Sequence, residues 1–155
     1  MKLKRSLLTA MIAVSAFSLI GCSNNKTKEV PVAEIQAGIA KEELLPQAKE
    51  EIDAKEWWPL AEVKDKIVEG FASVALMNVK LQDVAVIKTT DTQAIVDALE
   101  TYQEESYKLF AGGYGGEDNA TAVANAILEV KGDYVYFIAT PNASDVEAEL
   151  LKIIG

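Results

Sequence analysis

Cys22 is the only cysteine of the 155-residue chain, and histidine is absent. The chain therefore lacks the Ser-His-Asp and Cys-His pairs of nucleophilic catalysis, imidazole metal ligands, cysteine-built zinc sites and an intrachain disulfide. Acidic neighbours such as Glu42-Glu43 and Glu104-Glu105 are typical of solvated helix faces rather than of a hydrolytic acid pair. The sequence predicts no catalytic residue, no metal site and no cofactor.

Residues 1–21 have the composition of a bacterial secretory signal. Lys2, Lys4 and Arg5 give the segment a positively charged start, and an uncharged, mostly apolar run follows. The strongly apolar part is shorter than the roughly 20 residues that a membrane-spanning helix needs. Membrane attachment is therefore not expected to depend on a spanning helix.

The residues Leu19-Ile20-Gly21-Cys22 resemble the lipobox of bacterial lipoproteins at every position. This resemblance implies cleavage between Gly21 and Cys22 and attachment of diacylglycerol to the Cys22 thiol. Because one acyl chain contributes only about 0.8 kcal/mol per buried CH₂, a stable anchor needs two or three chains. We expect a protein attached by lipid to the extracytoplasmic face of the cell membrane; the alternative is an ordinary signal that contains a cysteine.

Removal of the signal makes the mature chain strongly acidic. Loss of three basic residues leaves 12 against 24 acidic ones, a net charge of −12. Such a domain is repelled by nucleic acid and by anionic headgroups, so no nucleic-acid partner is expected. The polar residues after Cys22 predict a tether over 22–31, and one domain follows over 32–155.

Apolar periodicity and turn residues divide this domain into seven main elements. The predicted elements are a helix over 32–44, strands over 71–79 and 84–88, a helix over 90–111, strands over 126–131 and 134–140, and a helix from Ser144. Capping boxes at Thr90–Gln93 and Ser144–Glu147 predict two of the helix starts, and weaker helical patterns follow Pro59 and Asp118. The order α-β-β-α-β-β-α predicts an α+β fold with a four-stranded, mainly antiparallel sheet and packed helices.

The glycine-rich run Gly112-Gly113-Tyr114-Gly115-Gly116 lacks the lysine of a phosphate-binding loop and does not follow a strand as a dinucleotide fingerprint does. The adjacent Glu117-Asp118-Asn119 lacks the spacing of an EF-hand loop. We interpret this run as a connection between two helices.

A β-hairpin is predicted around Gly132-Asp133, because glycine first in a two-residue loop favours a type II′ turn. The resulting register places Leu128, Val130, Val135 and Phe137 on one face, which should be core. The opposite face carries Ile127, Tyr134, Tyr136 and Ile138 and is too apolar to be left to water. Either another layer covers it, such as the Trp57-Trp58 segment, or Tyr134 and Tyr136 stay partly accessible as a partner surface.

From Phe71 to Ile154 the chain resembles an uncharacterised bacterial lipoprotein family, domain of unknown function 4358. The likeness is carried by Leu76-Met77-Asn78-Val79, residues 83–88, the long acidic helix, Tyr114-Gly115 and residues 130–135. It implies a lipid-anchored extracytoplasmic domain with no assigned activity, and it supplies no catalytic residues.

We therefore expect a membrane-anchored lipoprotein with a non-catalytic binding or interaction domain, whose protein or small-molecule partner the sequence does not identify. A narrower version is a ligand-binding accessory of a transporter or envelope complex. The alternative is a weak carboxylate-based envelope hydrolase, which a deep cavity with converging acids would favour.

Overall fold

The computed structural model describes residues 27–45 and 49–155, so Gly21 and Cys22, the predicted cleavage and lipidation residues, lie outside the described residues. The helices are α1 (Val32–Lys41), α2 (Thr92–Ser106), α3 (Lys108–Ala111), α4 (Glu117–Ala124) and α5 (Ala143–Ile154), with a 3-10 helix over Trp58–Lys66. The strands are β1 (Lys49–Asp53), β2 (Ile67–Ala75), β3 (Asp83–Thr89), β4 (Ile127–Lys131) and β5 (Tyr134–Ala139). None of the helices in the described ranges is long and apolar enough to cross a membrane.

The strands form one antiparallel sheet in the order β1-β2-β3-β5-β4. The mixed helix-and-sheet class is confirmed, whereas the predicted count of four strands and the predicted element order are wrong. The additional strand is β1, whose sequence Lys-Glu-Glu-Ile-Asp has a single apolar residue, Ile52, and so shows no strand alternation. As an edge strand, β1 uses charged side chains that oppose pairing with another chain.

The first predicted strand lies about four residues too far along the chain. The strand β2 begins at Ile67, which pairs with Thr89. The strand ends at Ala75, so residues 76–79 are part of the β2–β3 connection. Leu76 and Met77 are exposed there, because no neighbouring strand or helix covers them.

Both predicted capping boxes are wrong. Helix α2 is capped by Asp91, whose Oδ1 accepts the backbone N–H of Ala94 at 3.1 Å, while the Thr90 hydroxyl donates to the Lys66 carbonyl. Helix α5 begins after Asn142 without a side-chain cap. Its Glu147 carboxylate is instead turned towards the sheet, where it accepts a hydrogen bond from Tyr136.

The hairpin register between β4 and β5 is confirmed pair by pair, from Lys131 opposite Tyr134 to Ile127 opposite Ile138. Gly132 has a φ of 60°, the left-handed value that the first position of a type II′ turn needs. The prediction that Val130 belongs to the core is wrong, since 46% of it is exposed. Strand β4 is an edge strand, and the helices that cover β5 do not reach over its end.

Helices cover both faces of the sheet and create two apolar layers. The first layer lies under α1 and α5 and includes Val32, Ile35, Ile39, Val84, Val86, Ile138, Val146 and Leu150. The second lies under α2 and the 3-10 helix and includes Trp57, Leu60, Ala85, Ile87, Ile95, Leu99 and Phe137. Trp57 is buried in the second layer, whereas its neighbour Trp58 is 63% exposed.

Tyr134 and Tyr136 are buried in the first layer, with exposures of 1% and 4%. The predicted partner surface at these two residues is therefore wrong. Their face is covered within the chain, but by α1 and α5, because the Trp57-Trp58 segment packs on the opposite face of the sheet. The Tyr136 hydroxyl donates to Glu147 Oε1 at 2.9 Å, and burial together with this carboxylate raises the pKa of Tyr136.

Residues 27–31, which we call the N-terminal strap, lie against the domain although the sequence predicts a free tether through Pro31. The Lys28 N–H donates to the Ile154 carbonyl at 2.9 Å. The Tyr134 hydroxyl accepts the Val30 N–H at 3.0 Å and donates to the Val30 carbonyl at 2.7 Å. Glu29 forms an ion pair with Lys88. The strap thus brings the chain to one end of the sheet before α1 begins.

Candidate functional site

Asp83 is a buried carboxylate at the first position of β3, on the face covered by α2. Its Oδ2 accepts hydrogen bonds from the hydroxyls of Tyr107 at 2.7 Å and Tyr102 at 2.8 Å. Among the described residues no other group donates to this carboxylate, and no lysine or arginine nitrogen lies within 4 Å of it. Two neutral phenols therefore hold the carboxylate without neutralising its charge.

The pKa values of these three groups are coupled through their burial. Desolvation raises the pKa of Asp83, and the hydrogen bonds from Tyr107 and Tyr102 oppose that rise. Desolvation, followed by the negative charge of Asp83, raises the pKa of Tyr102 and of Tyr107 above the usual value. Both hydroxyls consequently stay protonated at neutral pH and serve as permanent donors to Oδ2.

An interruption in the helical segment brings both tyrosines to the same oxygen. Residues five positions apart on a regular helix point about 140° away from each other. Helix α2 ends at Ser106, however, and Tyr107 has φ −92° and ψ −9° before α3 begins at Lys108. The Tyr102 and Tyr107 rings then meet edge to face, with centroids 5.4 Å apart.

A cavity of about 350 Å³ opens beside Asp83. Aromatic rings form much of its wall: Trp57, Trp58, Tyr102 and Phe110. The Trp58 and Tyr102 rings stand almost perpendicular to each other, with centroids 5.1 Å apart and an interplanar angle of 82°. The cavity therefore contains a buried carboxylate and an aromatic corner, formed by the perpendicular rings of Trp58 and Tyr102, in which Trp58 is exposed to solvent.

The β2–β3 connection forms another wall of the cavity, and Asn119 of α4 holds it in place. The buried Asn119 side chain accepts the Leu81 N–H at 3.0 Å and donates to the carbonyls of Val79 at 2.8 Å and Tyr114 at 2.9 Å. These bonds join the connection to the glycine-rich run, which links α3 and α4 as predicted. A Cβ on Gly115 would lie 2.2 Å from both Asn119 Nδ2 and the Val79 carbonyl, so glycine is required there.

A second depression, of about 500 Å³, lies along α2, α3 and α4 and is lined by exposed residues such as Glu100, Glu104 and Lys108. It is larger than the Asp83 cavity, but its charged side chains are solvated and no buried carboxylate lines it. In the described part of the chain, no three His, Cys, Asp or Glu residues come together as a metal site. The Asp83 cavity is therefore the better candidate site.

Neither of the predicted site residues that the structure describes, Tyr134 and Tyr136, lines this cavity. Gly21 and Cys22 lie outside the described residues, and Tyr134 and Tyr136 are buried on the other face of the sheet. The sequence analysis singled out neither Asp83 nor Tyr102 as a site residue. The available signal was the pair of tyrosines five residues apart in an acidic helix, which a single regular helical face does not accommodate.

Comparison with known proteins agrees with the resemblance seen in the sequence. Residues 43–140 match the family described as Domain of unknown function (DUF4358). No curated protein and no solved structure shows significant similarity to the chain. The matched segment runs from the residues before β1 to the end of β5 and so includes Asp83, both tyrosines that hold it and Asn119. Because the match covers well over half of the chain, the protein belongs to the family Domain of unknown function (DUF4358).

Proposed function

We propose that the protein is a bacterial lipoprotein whose domain binds a small molecule at the extracytoplasmic face of the cell membrane without transforming it. The observation that carries the binding role is the Asp83 cavity, in which a buried carboxylate without a cationic partner meets an aromatic wall. Small-molecule sites are typically concave, mostly apolar and provided with a few placed polar groups. The cavity is concave, its aromatic wall supplies apolar surface, and the Asp83 carboxylate is a polar group held in place by two hydrogen bonds.

The geometry of the carboxylate favours binding over hydrolysis. A hydrolase of the carboxylate type needs two acids on opposite sides of the reacting bond, one of which gives up a proton. Glu50 also lines the cavity, but it is an exposed residue of the edge strand β1. Asp83 has one oxygen occupied by two phenol donors, which fix its orientation and compete with proton transfer at that oxygen.

The anchoring part of the proposal rests on the lipobox-like residues before Ser23, and the N-terminal strap supports it. Because the strap forms its first backbone hydrogen bond to the domain at Lys28, only residues 23–27 lie between Cys22 and that residue. The six steps from Cys22 to Lys28 reach at most about 20–22 Å when extended. A lipid on Cys22 would therefore keep the α1–α5 side of the domain close to the membrane.

Cys22→Ser tests the anchor. We expect this variant to move from the detergent phase to the aqueous phase in a detergent-partition experiment, whereas the matched control Ser23→Ala stays in the detergent phase. An unchanged membrane fraction for Cys22→Ser would contradict lipid attachment and indicate an uncleaved N-terminal helix.

The binding role is tested on the detergent-solubilised full chain with a panel of small cationic, neutral and anionic molecules, using the shift in melting temperature as readout. At least one class is expected to stabilise the protein, and Trp58→Ala should abolish the shift. Val130→Ala is the matched control, since Val130 is also exposed but lies on the far edge strand β4. A panel without any stabilising member, or equal shifts in Trp58→Ala, would overturn the binding site.

An accessory role in a larger envelope complex is favoured by one specific observation. Met77, which lines the cavity together with the exposed Trp58, is 55% exposed, and its neighbour Leu76 in the β2–β3 connection is 62% exposed. Exposed apolar side chains around a ligand site are typical of surfaces that meet another protein. Crosslinking through a photoreactive residue at position 76 should capture a membrane partner if this narrower role is correct, and position 130 should not.

A further inference from the structure

We propose that the Asp83 cavity binds a small organic ammonium ion, whose charged nitrogen lies at the carboxylate and whose carbon atoms pack against Trp58 and Tyr102. The assignment rests on the binding function proposed above and names the chemical class of its ligand. Three properties of the cavity point to this class: its charge, its aromatic corner and its size.

The charge of Asp83 is the first property. A carboxylate that is removed from water is normally paired with a cation or with several donors. Here both donors converge on Oδ2, and no described residue donates to Oδ1. Lys80 lines the same cavity but forms no ion pair with Asp83. An ammonium group of a ligand would supply both the missing charge and the missing donor.

The aromatic corner is the second property. Trp58, whose ring meets Tyr102 edge to face at 82°, is 63% exposed and offers an alkylated ammonium ion an accessible indole surface beside the carboxylate. Aromatic faces attract such cations through the ring quadrupole, and tryptophan does so most strongly. Tyr102 also donates its hydroxyl to Asp83, so the same side chain connects the aromatic wall to the carboxylate.

Size and charge together exclude other classes. The volume of about 350 Å³ is at the lower end of the range for small-molecule sites and suits a ligand of a few heavy atoms. An anion would meet both Asp83 and the excess of acidic residues in the chain. An uncharged sugar would supply hydrogen bonds but would leave the Asp83 carboxylate without a cation.

The test compares choline with its neutral isostere 3,3-dimethylbutan-1-ol, and butylamine with butyrate and glucose, by calorimetry and tryptophan fluorescence on the detergent-solubilised full chain at low salt. We expect the cations to bind about tenfold or more tighter than the neutral isostere. Asp83→Asn should remove this preference, lowering cation affinity by about tenfold or more while the affinity for the neutral isostere changes little. Glu147→Gln, which alters the tyrosine-bound carboxylate on the other face, should leave all affinities unchanged.

The outcomes separate the ligand class from the binding function. If the neutral isostere, butyrate or glucose binds as tightly as the cations and Trp58→Ala abolishes this binding, the ammonium assignment is overturned and the binding cavity stands. If no probe binds and Trp58→Ala changes nothing in the wider panel, both are overturned. Retention of the cation preference in Asp83→Asn would overturn the role of the carboxylate.

Discussion

A pair of tyrosines lies on each side of the sheet, and the hydroxyls of the two pairs have different kinds of hydrogen-bond partner. On the α1–α5 face, Tyr134 exchanges hydrogen bonds with the backbone of Val30 and Tyr136 donates to Glu147. Val30 belongs to the N-terminal strap and Glu147 to α5, and each hydrogen bond holds its element against the sheet. On the α2 face, Tyr102 and Tyr107 both donate to one oxygen of Asp83.

The layer under α1 and α5 is closed to solvent, whereas the layer under α2 is open at the Asp83 cavity. The first face is sealed by two helices and the N-terminal strap, so its tyrosines stabilise the fold. On the second face a polar cluster is buried beside a cavity, and its carboxylate has no cation among the described residues. Buried charges without partners are costly to the folded state, and they are found where a protein binds or reacts. The tyrosines of the first face therefore have a structural role, and the open second face supports the binding role proposed for it.

The largest expected effect separates the two adjacent tryptophans. Trp57→Ala should lower the free energy of unfolding by about 3–5 kcal/mol, because the ring is 2% exposed and packs in the second apolar layer. Trp58→Ala should cost less than about 1 kcal/mol, since its ring is mostly exposed at the cavity. Urea denaturation of both variants checks this, and equal losses would mean that Trp58, like Trp57, is part of the core.

The next largest expected effect is an increase in the free energy of unfolding rather than a loss. Because the pKa of Asp83 is raised in the folded protein, the native state binds more protons than the unfolded state above the unfolded value of 3.8. The stability linked to this group is therefore complete below the unfolded pKa and is lost as the pH rises through the folded pKa. Asp83→Asn removes the charge and keeps an oxygen that accepts the phenol hydrogen bonds.

We expect Asp83→Asn to increase the free energy of unfolding at pH 7 by about 1–3 kcal/mol and to flatten its decline with rising pH. Urea denaturation at several pH values from about 4 to 7 measures both quantities. Glu147→Gln is the matched control on the closed face and should not reproduce the stabilisation. A destabilised Asp83→Asn with an unchanged pH dependence would show that the carboxylate is a structural group like Glu147.

What the sequence predicted well was local, and what it missed depends on distant contacts. The β4–β5 register follows from a two-residue loop, so the pairing of Val130 with Val135 is already determined by the turn. Asp83, by contrast, becomes a site only because Tyr102 and Tyr107, 19 and 24 residues later, reach it from a broken helix. Likewise, the acidic strand β1 exists because β2 offers it a free edge, and its own residues carry no strand pattern.

The smallest expected effect concerns the closed face. Tyr134→Phe removes a hydroxyl that both accepts from and donates to the backbone of Val30, so it should lower the free energy of unfolding by about 1–2 kcal/mol. The loss should be local, because the ring itself stays buried between the sheet and its helices. Release of the N-terminal strap should appear as faster hydrogen exchange at the Lys28 and Val30 amides.

Tyr136→Phe is the matched control for this prediction, since it removes a hydroxyl bond to a side chain rather than to the strap. It should cost about 0.5–1 kcal/mol and leave exchange at the Lys28 and Val30 amides unchanged. If Tyr134→Phe left those amides protected as well, the strap would be held by the Lys28–Ile154 backbone bond and the Glu29–Lys88 ion pair alone. The strap would then be held on the closed face by its own contacts, and the difference between the two tyrosine pairs would be limited to the hydrogen bonds of the Asp83 cluster.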